Sequence, residues 1–381
     1  MTTSSAPAPS QAGRAAIASA KRIVVKIGSS SLTNAKGRLD VAALRRFVDV
    51  LAERKVSGTE IVLVTSGAVA AGMGPLELGD RPRDVATVQA VASVGQGMLI
   101  AQYADAFAAY DLRVGQLLLT AEDTVRRSRY RNAGRTIERL LALGAVPIIN
   151  ENDALVADEL RFGDNDRIAA LITHLVRAEA LVLLTDVDGL YDGPPSRPGA
   201  RRIPEVASMS ELGEVEIGGS GSKVGTGGMV TKLQSAAIAT ESGAPVVLTT
   251  TANARAALAG EPVGTCFAAA GKRRSRRQLW LAHAAQTHGR LRVDAGAAKA
   301  LRGGRASLLA AGIVGVDGEL VAGDPVSIVG PDEAEIARGI IAYDAAEVRE
   351  MLGKSTSAIV DELGEGYGRA IVHLDDLVLV R

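Results

Sequence analysis

Cysteine occurs once, as Cys266, so the chain can form no disulfide within itself and cannot build a cysteine-rich zinc site; a reducing cytoplasm is the expected setting. Histidine is nearly as scarce. His174, His283, His288 and His373 are dispersed and show no paired metal-ligand spacing. Aromatic residues make up only 3% of the sequence. Excess charge of either sign is lacking too. With 43 Lys/Arg against 43 Asp/Glu there is no overall pull towards nucleic acid or an anionic membrane, so any bound anion must be held by a local arrangement. No apolar run approaches the roughly 18 residues of a membrane span. The first twenty residues are rich in Ala, Ser, Thr and Pro and contain neither an early basic segment nor a signal-peptide core, so residues 1–20 are expected to be a disordered tail.

What is present is a rhythm. At 381 residues and 47% hydrophobic content the chain has room for two domains with separate cores. Buried strands are expected at Ile23–Ile27, Ile61–Val64, Val114–Leu119, Ala145–Ile149 and Leu181–Leu184. Helices are expected between them: one capped by Asp40, one from Asp84 to Tyr110, and one from Asp123 to Leu143 closed by Gly144. Gly95 and Gly97 in the second of these argue for close packing against another element. The alternation predicts an α/β fold with a mostly parallel sheet sandwiched by helices and ligands outside the carboxyl ends of the strands.

Unusual polar residues gather at those ends. Lys26 interrupts an otherwise apolar strand just before Gly28 and three serines, and Ser66 follows the second strand. The cluster Asn150-Glu151-Asn152-Asp153 follows the fourth, and Thr185-Asp186 follows the fifth. Phe162-Gly163-Asp164-Asn165-Asp166 heads a helical run with more acceptors than one N-cap needs. Asp and Asn are also ordinary turn residues, but turn chemistry alone gives no reason to collect on one sheet edge. Downstream, the glycine-dense stretch from Gly218 to Gly228 runs into a helix from Met229 to Ser242 with Lys232 in its first turn. Backbone N–H groups, a helix N-terminus and a lysine make an anion site, although the stretch matches neither the P-loop nor the dinucleotide fingerprint.

Two lysines without a histidine base suit phosphoryl transfer, where catalysis is mainly positioning and electrostatics. A carboxylate acceptor, with a pKa of about 4.3, is already ionised at neutral pH and needs no base. Asp166 would then orient the lysines through charge-assisted hydrogen bonds.

Val25-Lys26-Ile27-Gly28-Ser29-Ser30, Val64-Thr65-Ser66-Gly67-Ala68, Asn150-Glu151-Asn152-Asp153, Phe162-Gly163-Asp164-Asn165-Asp166, Leu184-Thr185-Asp186-Val187-Asp188-Gly189-Leu190-Tyr191 and Gly225-Thr226-Gly227-Gly228-Met229-Val230-Thr231-Lys232 resemble, in order, the motif set of the glutamate 5-kinase family, with its amino-acid kinase fold. The resemblance covers the chain from about residue 21 to its end. It implies ATP-dependent phosphorylation of the γ-carboxylate of L-glutamate, the first step of proline synthesis. It further implies that Lys26 and Lys232 contact the ATP phosphates with Asp166 organising them, and that Ser66, Asp153 and Asn165 hold glutamate, with Asp164 and Asn150 nearby. Thr185, Asp186 and the loop Thr226, Gly227, Gly228, Met229, Val230, Thr231 and Lys232 would hold ATP, and Mg²⁺ would be carried by the phosphates instead of by the protein. Feedback inhibition by proline, a homo-oligomer and hand-over to glutamyl-phosphate reductase are part of the same implication.

The α/β rhythm stops near residue 270. The expected domains are a kinase domain over 21–270, a basic linker over 271–287 containing Lys272-Arg273-Arg274-Ser275-Arg276-Arg277, and a module over 288–381. Gly289 to Leu301 resembles the start of a PUA domain, a small β-barrel known from RNA-modifying enzymes. From His288 to Arg381 there are 10 Lys/Arg and 15 Asp/Glu, a net charge of −5 and the wrong sign for binding a phosphate backbone. Nucleic acid is therefore not an expected partner. Two alternatives stay open: a kinase of this fold acting on aspartate, N-acetylglutamate or a nucleoside monophosphate, and an RNA-binding protein acting through the C-terminal module.

Overall fold

A computed structural model describes residues 9–120, 123–124, 126–155, 165–214, 228–269, 278, 280–284, 287–304 and 306–380. Asp164, Thr226, Gly227, the glycine run before them and the basic run 272–277 lie outside these. The chain divides into two compact units, Met1–Thr124 with Ser128–Arg274, and Val125–Arg127 with Ser275–Arg381.

In chain order the first unit contains α1 (Pro9–Ser19), β1 (Arg22–Ile27), α2 (Val41–Val56), β2 (Glu60–Val64), α3 (Ala68–Met73), α4 (Val85–Ala108), β3 (Val114–Leu119), α5 (Arg127–Ala142), β4 (Val146–Glu151), α6 (Asn165–Leu175), β5 (Ala180–Thr185), β6 (Leu190–Tyr191), β7 (Arg202–Ile203), β8 (Glu205–Val206), α7 (Met229–Glu241), β9 (Val246–Thr250), α8 (Ala254–Leu258) and β10 (Thr265–Phe267). Its main sheet, among the described residues, has the order β3-β4-β2-β1-β5-β9-β10-β8. The six strands from β3 to β9 are mutually parallel, and β10 turns antiparallel to β9. Strands β1, β2, β4 and β5 are apolar almost throughout because helices cover both faces of the sheet and leave no solvent side for alternation. Parallel register then brings their carboxyl ends level. Lys26 pairs with Val64 of β2 on one side and with Leu183 of β5 on the other.

Three local expectations change. The N-terminal segment, read as disordered from its small-residue composition, forms α1 from residue 9 onward. Its alanines favour helix, Ile17 is fully buried, and the Arg14 guanidinium donates to the backbone oxygens of Glu261 at 2.8 Å, Val263 at 2.7 Å and Pro204 at 3.2 Å. Strand β4 runs two residues past Ile149, because Asn150 and Glu151 stay in the ladder opposite Leu118 and Leu119. Of the two glycines in α4, only Gly95 makes a close approach: a Cβ there would stand 1.7 Å from the Ala68 backbone oxygen, whereas one at Gly97 would meet nothing within 4 Å.

The second unit contains β11 (Arg290–Val293), α9 (Ala295–Arg302), β12 (Ile313–Asp317), β13 (Pro325–Val329), β14 (Glu335–Ile340), α10 (Ala345–Met351), α11 (Thr356–Leu363) and β15 (Leu377–Leu379). These strands form a separate five-stranded sheet of order β12-β11-β13-β14-β15, packed on a core that includes Leu291, Leu301, Ile313, Val326, Ile328 and Val372. Asp294 caps α9, and Asp344 with Glu347 makes a capping box at α10, so local polar residues start these short helices. Tyr343 and Tyr367 stack on one another with centroids 5.7 Å apart.

Candidate active site

Charge is concentrated at the carboxyl edge of the sheet. Lys26 occupies the penultimate position of β1 and is only 6% exposed, yet its side chain has a partner. Asp166, the second residue of α6 and 1% exposed, places Oδ1 at 2.6 Å from the Lys26 ammonium and Oδ2 at 3.2 Å from that of Lys232. The N-terminus of a helix already favours an anion, and α6 supplies one. Burial works against ionisation of Asp166, but the charges and hydrogen bonds of Lys26 and Lys232 outweigh it and hold its pKa below the ordinary carboxylate value. The shift favours its carboxylate form. Two buried lysine side chains thus converge on one carboxylate, an arrangement that suits an incoming phosphoryl group.

The backbone keeps that centre approachable. Gly28 follows β1, its N–H bonded to the Leu184 oxygen at 3.1 Å, and a Cβ there would stand 3.7 Å from the Lys26 Nζ. Lys232 closes the first turn of α7, where Gly228 is the N-cap and the Thr231 hydroxyl donates back to the Gly228 oxygen at 2.8 Å. Thr185 ends β5, and its hydroxyl donates to Asp186 Oδ1 at 2.9 Å.

Beside Asp166 lies an uncharged polar cluster. Asn165 Nδ2 donates to Ser66 Oγ at 3.0 Å and to Asn150 Oδ1 at 3.1 Å, and Asn165 Oδ1 accepts the Glu151 N–H at 3.1 Å. These three side chains come from α6, the turn after β2 and the end of β4. Gly67, with φ of 108°, makes the turn that leads from Ser66 into α3. Asp153 sits in the turn after β4, half-buried; burial pushes its pKa up to about 6, and the nearby Arg81 charge offsets only part of that.

Residues 21–250 match the family model described as Amino acid kinase family, and residues 289–363 match the PUA domain model. Glutamate 5-kinase of Thermobifida fusca (strain YX) is 56% identical over 370 residues, 97% of this chain and 95% of that protein. Glutamate 5-kinase of Streptomyces coelicolor is 54% identical over 368 residues, 96% of this chain and 98% of that one. The chain belongs to the glutamate 5-kinase family.

Of the residues whose motifs resemble this family, the fold joins Lys26, Asp166 and Lys232 in one ion cluster and Ser66, Asn150 and Asn165 in one hydrogen-bonded cluster. Thr185 and Asp186 lie on the same edge, one and two positions beyond the Ile27 to Leu184 pairing. Among the loop residues, Gly228 to Lys232 are described, with Val230 47% exposed, whereas Thr226 and Gly227 are not, and neither is Asp164.

Sequence reasoning overlooked two groups that the glutamate 5-kinase fold brings to the polar cluster. Gln96 of α4 is 6% exposed and donates to the Glu151 oxygen at 3.0 Å; Tyr103, fully buried in the same helix, has its hydroxyl 2.8 Å from Thr65 Oγ1. Burial drives the Tyr103 pKa up, so the phenol stays neutral. A faint signal existed, since Gln96 and Tyr103 lie two helical turns apart on one face of an Ala-rich helix, in register with the apolar Leu99 and Ala92.

Proposed function

We propose that this protein transfers the γ-phosphoryl group of ATP to the γ-carboxylate of L-glutamate, giving L-glutamyl 5-phosphate and ADP. The observation that carries the reading is the Lys26–Asp166–Lys232 cluster set beside the Ser66–Asn150–Asn165 cluster, in a chain aligned over nearly its whole length with glutamate 5-kinases. The acceptor arrives ionised, so its oxygen attacks phosphorus without a base, and the P–O bond to ADP breaks in line. Lys26 and Lys232 neutralise charge on the phosphoryl oxygens, while Asp166 keeps the two cations from repelling one another. Ser66 and Asn165 hold glutamate, the Ser66 hydroxyl donating to it while the Asn165 amide protons are engaged by Ser66 and Asn150; Asn150 and Asp164 support them, and Asp153 receives the substrate ammonium group. Thr185, Asp186 and the segment from Thr226 to Lys232 hold the nucleotide.

Both Asp166 oxygens are engaged by lysines. Mg²⁺ would be carried by the nucleotide's phosphates and would supply neutralisation of charge on the departing diphosphate. An acyl phosphate is hydrolytically labile, which supports rapid hand-over to glutamyl-phosphate reductase in a cytoplasmic proline pathway. Inhibition by proline and assembly into a homo-oligomer complete the proposal.

The test is ADP release against a panel of acceptors: glutamate, aspartate, N-acetylglutamate and a nucleoside monophosphate, with hydroxylamine present to trap an acyl phosphate. Release and trapping with glutamate are expected. Turnover with another acceptor and none with glutamate would overturn the assignment.

A further inference from the structure

The side chains assigned above to the acceptor come from three separate segments, and their own chemistry does not decide which way round two of them face. A carboxamide has an N–H edge and an oxygen edge of nearly equal size, and only its partners choose between them. Gln96 makes that choice together with the Glu151 N–H, which both asparagine oxygens accept. The Glu151 backbone oxygen is an acceptor only, so Gln96 must turn Nε2 towards it, at 3.0 Å. Its Oε1 is then left to accept from Asn150 Nδ2 at 3.3 Å and from Gln116 Nε2 at 3.4 Å. With Asn150 Nδ2 drawn to Gln96, Asn150 Oδ1 faces Asn165 Nδ2 at 3.1 Å and the Glu151 N–H at 2.9 Å. Asn165 is oriented in turn, its Nδ2 towards Ser66 Oγ and its Oδ1 on the Glu151 N–H. Both Asn165 amide protons are thereby engaged, one of them by the Ser66 oxygen, and the Ser66 hydroxyl keeps its own proton to donate to a carboxylate.

Tyr103 acts on the other member of the cluster. It lies two turns beyond Gln96, on the same face of α4. Thr65 Oγ1 donates to the Ser66 oxygen at 3.0 Å, so the bond of 2.8 Å to Tyr103 is one in which the phenol donates. The peptide that carries Ser66 is thereby tied to α4 as well. Gly95, adjacent to Gln96, lets α4 lie against the Ala68 backbone at the start of α3, immediately after Ser66 and Gly67.

Resting on the reading of the acceptor site given above, we propose that Gln96 and Tyr103 are positioning residues for glutamate. Helix α4 is a template that fixes the amide orientation of Asn150 and Asn165 and the placement of Ser66, so that the Ser66 hydroxyl is left to donate to an acceptor carboxylate.

Three variants test this in the full-length protein. Gln96→Met keeps the volume and removes all the bonds of the side chain. Gln96→Glu can still accept from Asn150 but sets an oxygen against the Glu151 oxygen. Tyr103→Phe deletes a single hydroxyl. The KM for glutamate should rise about three- to tenfold for each hydrogen bond lost, hence about three- to tenfold for Gln96→Glu and for Tyr103→Phe and more than about tenfold for Gln96→Met, while the KM for ATP stays within about twofold. The rise in melting temperature that glutamate gives the wild type should shrink in parallel. A lower melting temperature with an unchanged KM for glutamate would show a merely structural role and overturn the inference. If the Gln96 variants do not fold, Tyr103→Phe decides the matter, since it alters one atom. A wild type that neither releases ADP with glutamate nor is stabilised by it would sink the reaction assignment and this inference together; an active wild type whose variants keep their glutamate KM would sink the inference alone.

Discussion

Asp166 Oδ1 lies 2.6 Å from the Lys26 ammonium, joining the first turn of α6 to the end of β1 across 140 residues of sequence, with both side chains nearly sealed from solvent. The same carboxylate holds Lys232 through its other oxygen. Asp166→Asn would therefore remove the carboxylate that both lysines share. Breaking a buried pair in this way costs about 3–5 kcal/mol, so the urea midpoint should fall by an amount well outside error. The pH dependence follows from the sign of the shift. Because the folded pKa of Asp166 is depressed, its contribution is complete above the unfolded value of about 3.9 and disappears as pH falls through the lower folded value. The stability gap between wild type and Asp166→Asn should accordingly be widest near neutrality and close below about pH 4.

Lys232→Ala should lower turnover by about 10²–10³-fold, the scale of losing one preorganised donor to the transferred group. The KM for glutamate should change little, since Lys232 bonds to Asp166. Steady-state assays at saturating ATP separate the two, and undiminished turnover would remove Lys232 from the mechanism.

Asp153 gives a pH effect of opposite sense. Its folded pKa is raised to about 6 by burial, so between about pH 4 and 6 the folded state binds more protons than the unfolded one. Stability from this group should thus increase as pH is lowered through 6, whereas glutamate binding, which needs the carboxylate for the substrate ammonium, should weaken. The KM for glutamate should climb below about pH 6 in the wild type and lose that dependence in Asp153→Asn. A flat KM profile in the wild type would argue against its contact with the substrate.

Gly95 and Gly97 make a matched pair on one helix. Gly95→Ala would drive a methyl group into the Ala68 backbone oxygen and the Gly72 nitrogen, both far inside contact distance, so α4 must move away from α3. A loss of about 1–3 kcal/mol and a raised glutamate KM are expected. Gly97→Ala meets nothing within 4 Å and should stabilise the helix by up to about 1 kcal/mol. Thermal melts of the two variants, measured side by side, check both signs.

Sequence and structure agree where the determining forces are local. Apolar runs such as Ile61–Val64 and Leu181–Leu184 can be satisfied only as buried strands, and Asp40 and Asp84 each accept the backbone N–H that marks a helix start. Parallel order then places Lys26, Ser66, Asn150 and Thr185 on one edge before any coordinates are seen. The tail was misread because its alanines and lone Ile17 carry little local signal. What orders it is the distant set of carbonyls at 261–264 that Arg14 reaches.

By itself, then, the sequence determined the layered α/β plan, the change of architecture near residue 270 and the edge at which the chemistry gathers, since each is written in hydrophobic period and in the residues that end strands. Only the tertiary structure decided that one carboxylate serves both lysines and that Gln96 sets the facing of Asn150 and Asn165. Those bonds span 54 to 140 residues and depend on sub-ångström packing, such as that of Gly95 on α3, for which a local pattern has no sign.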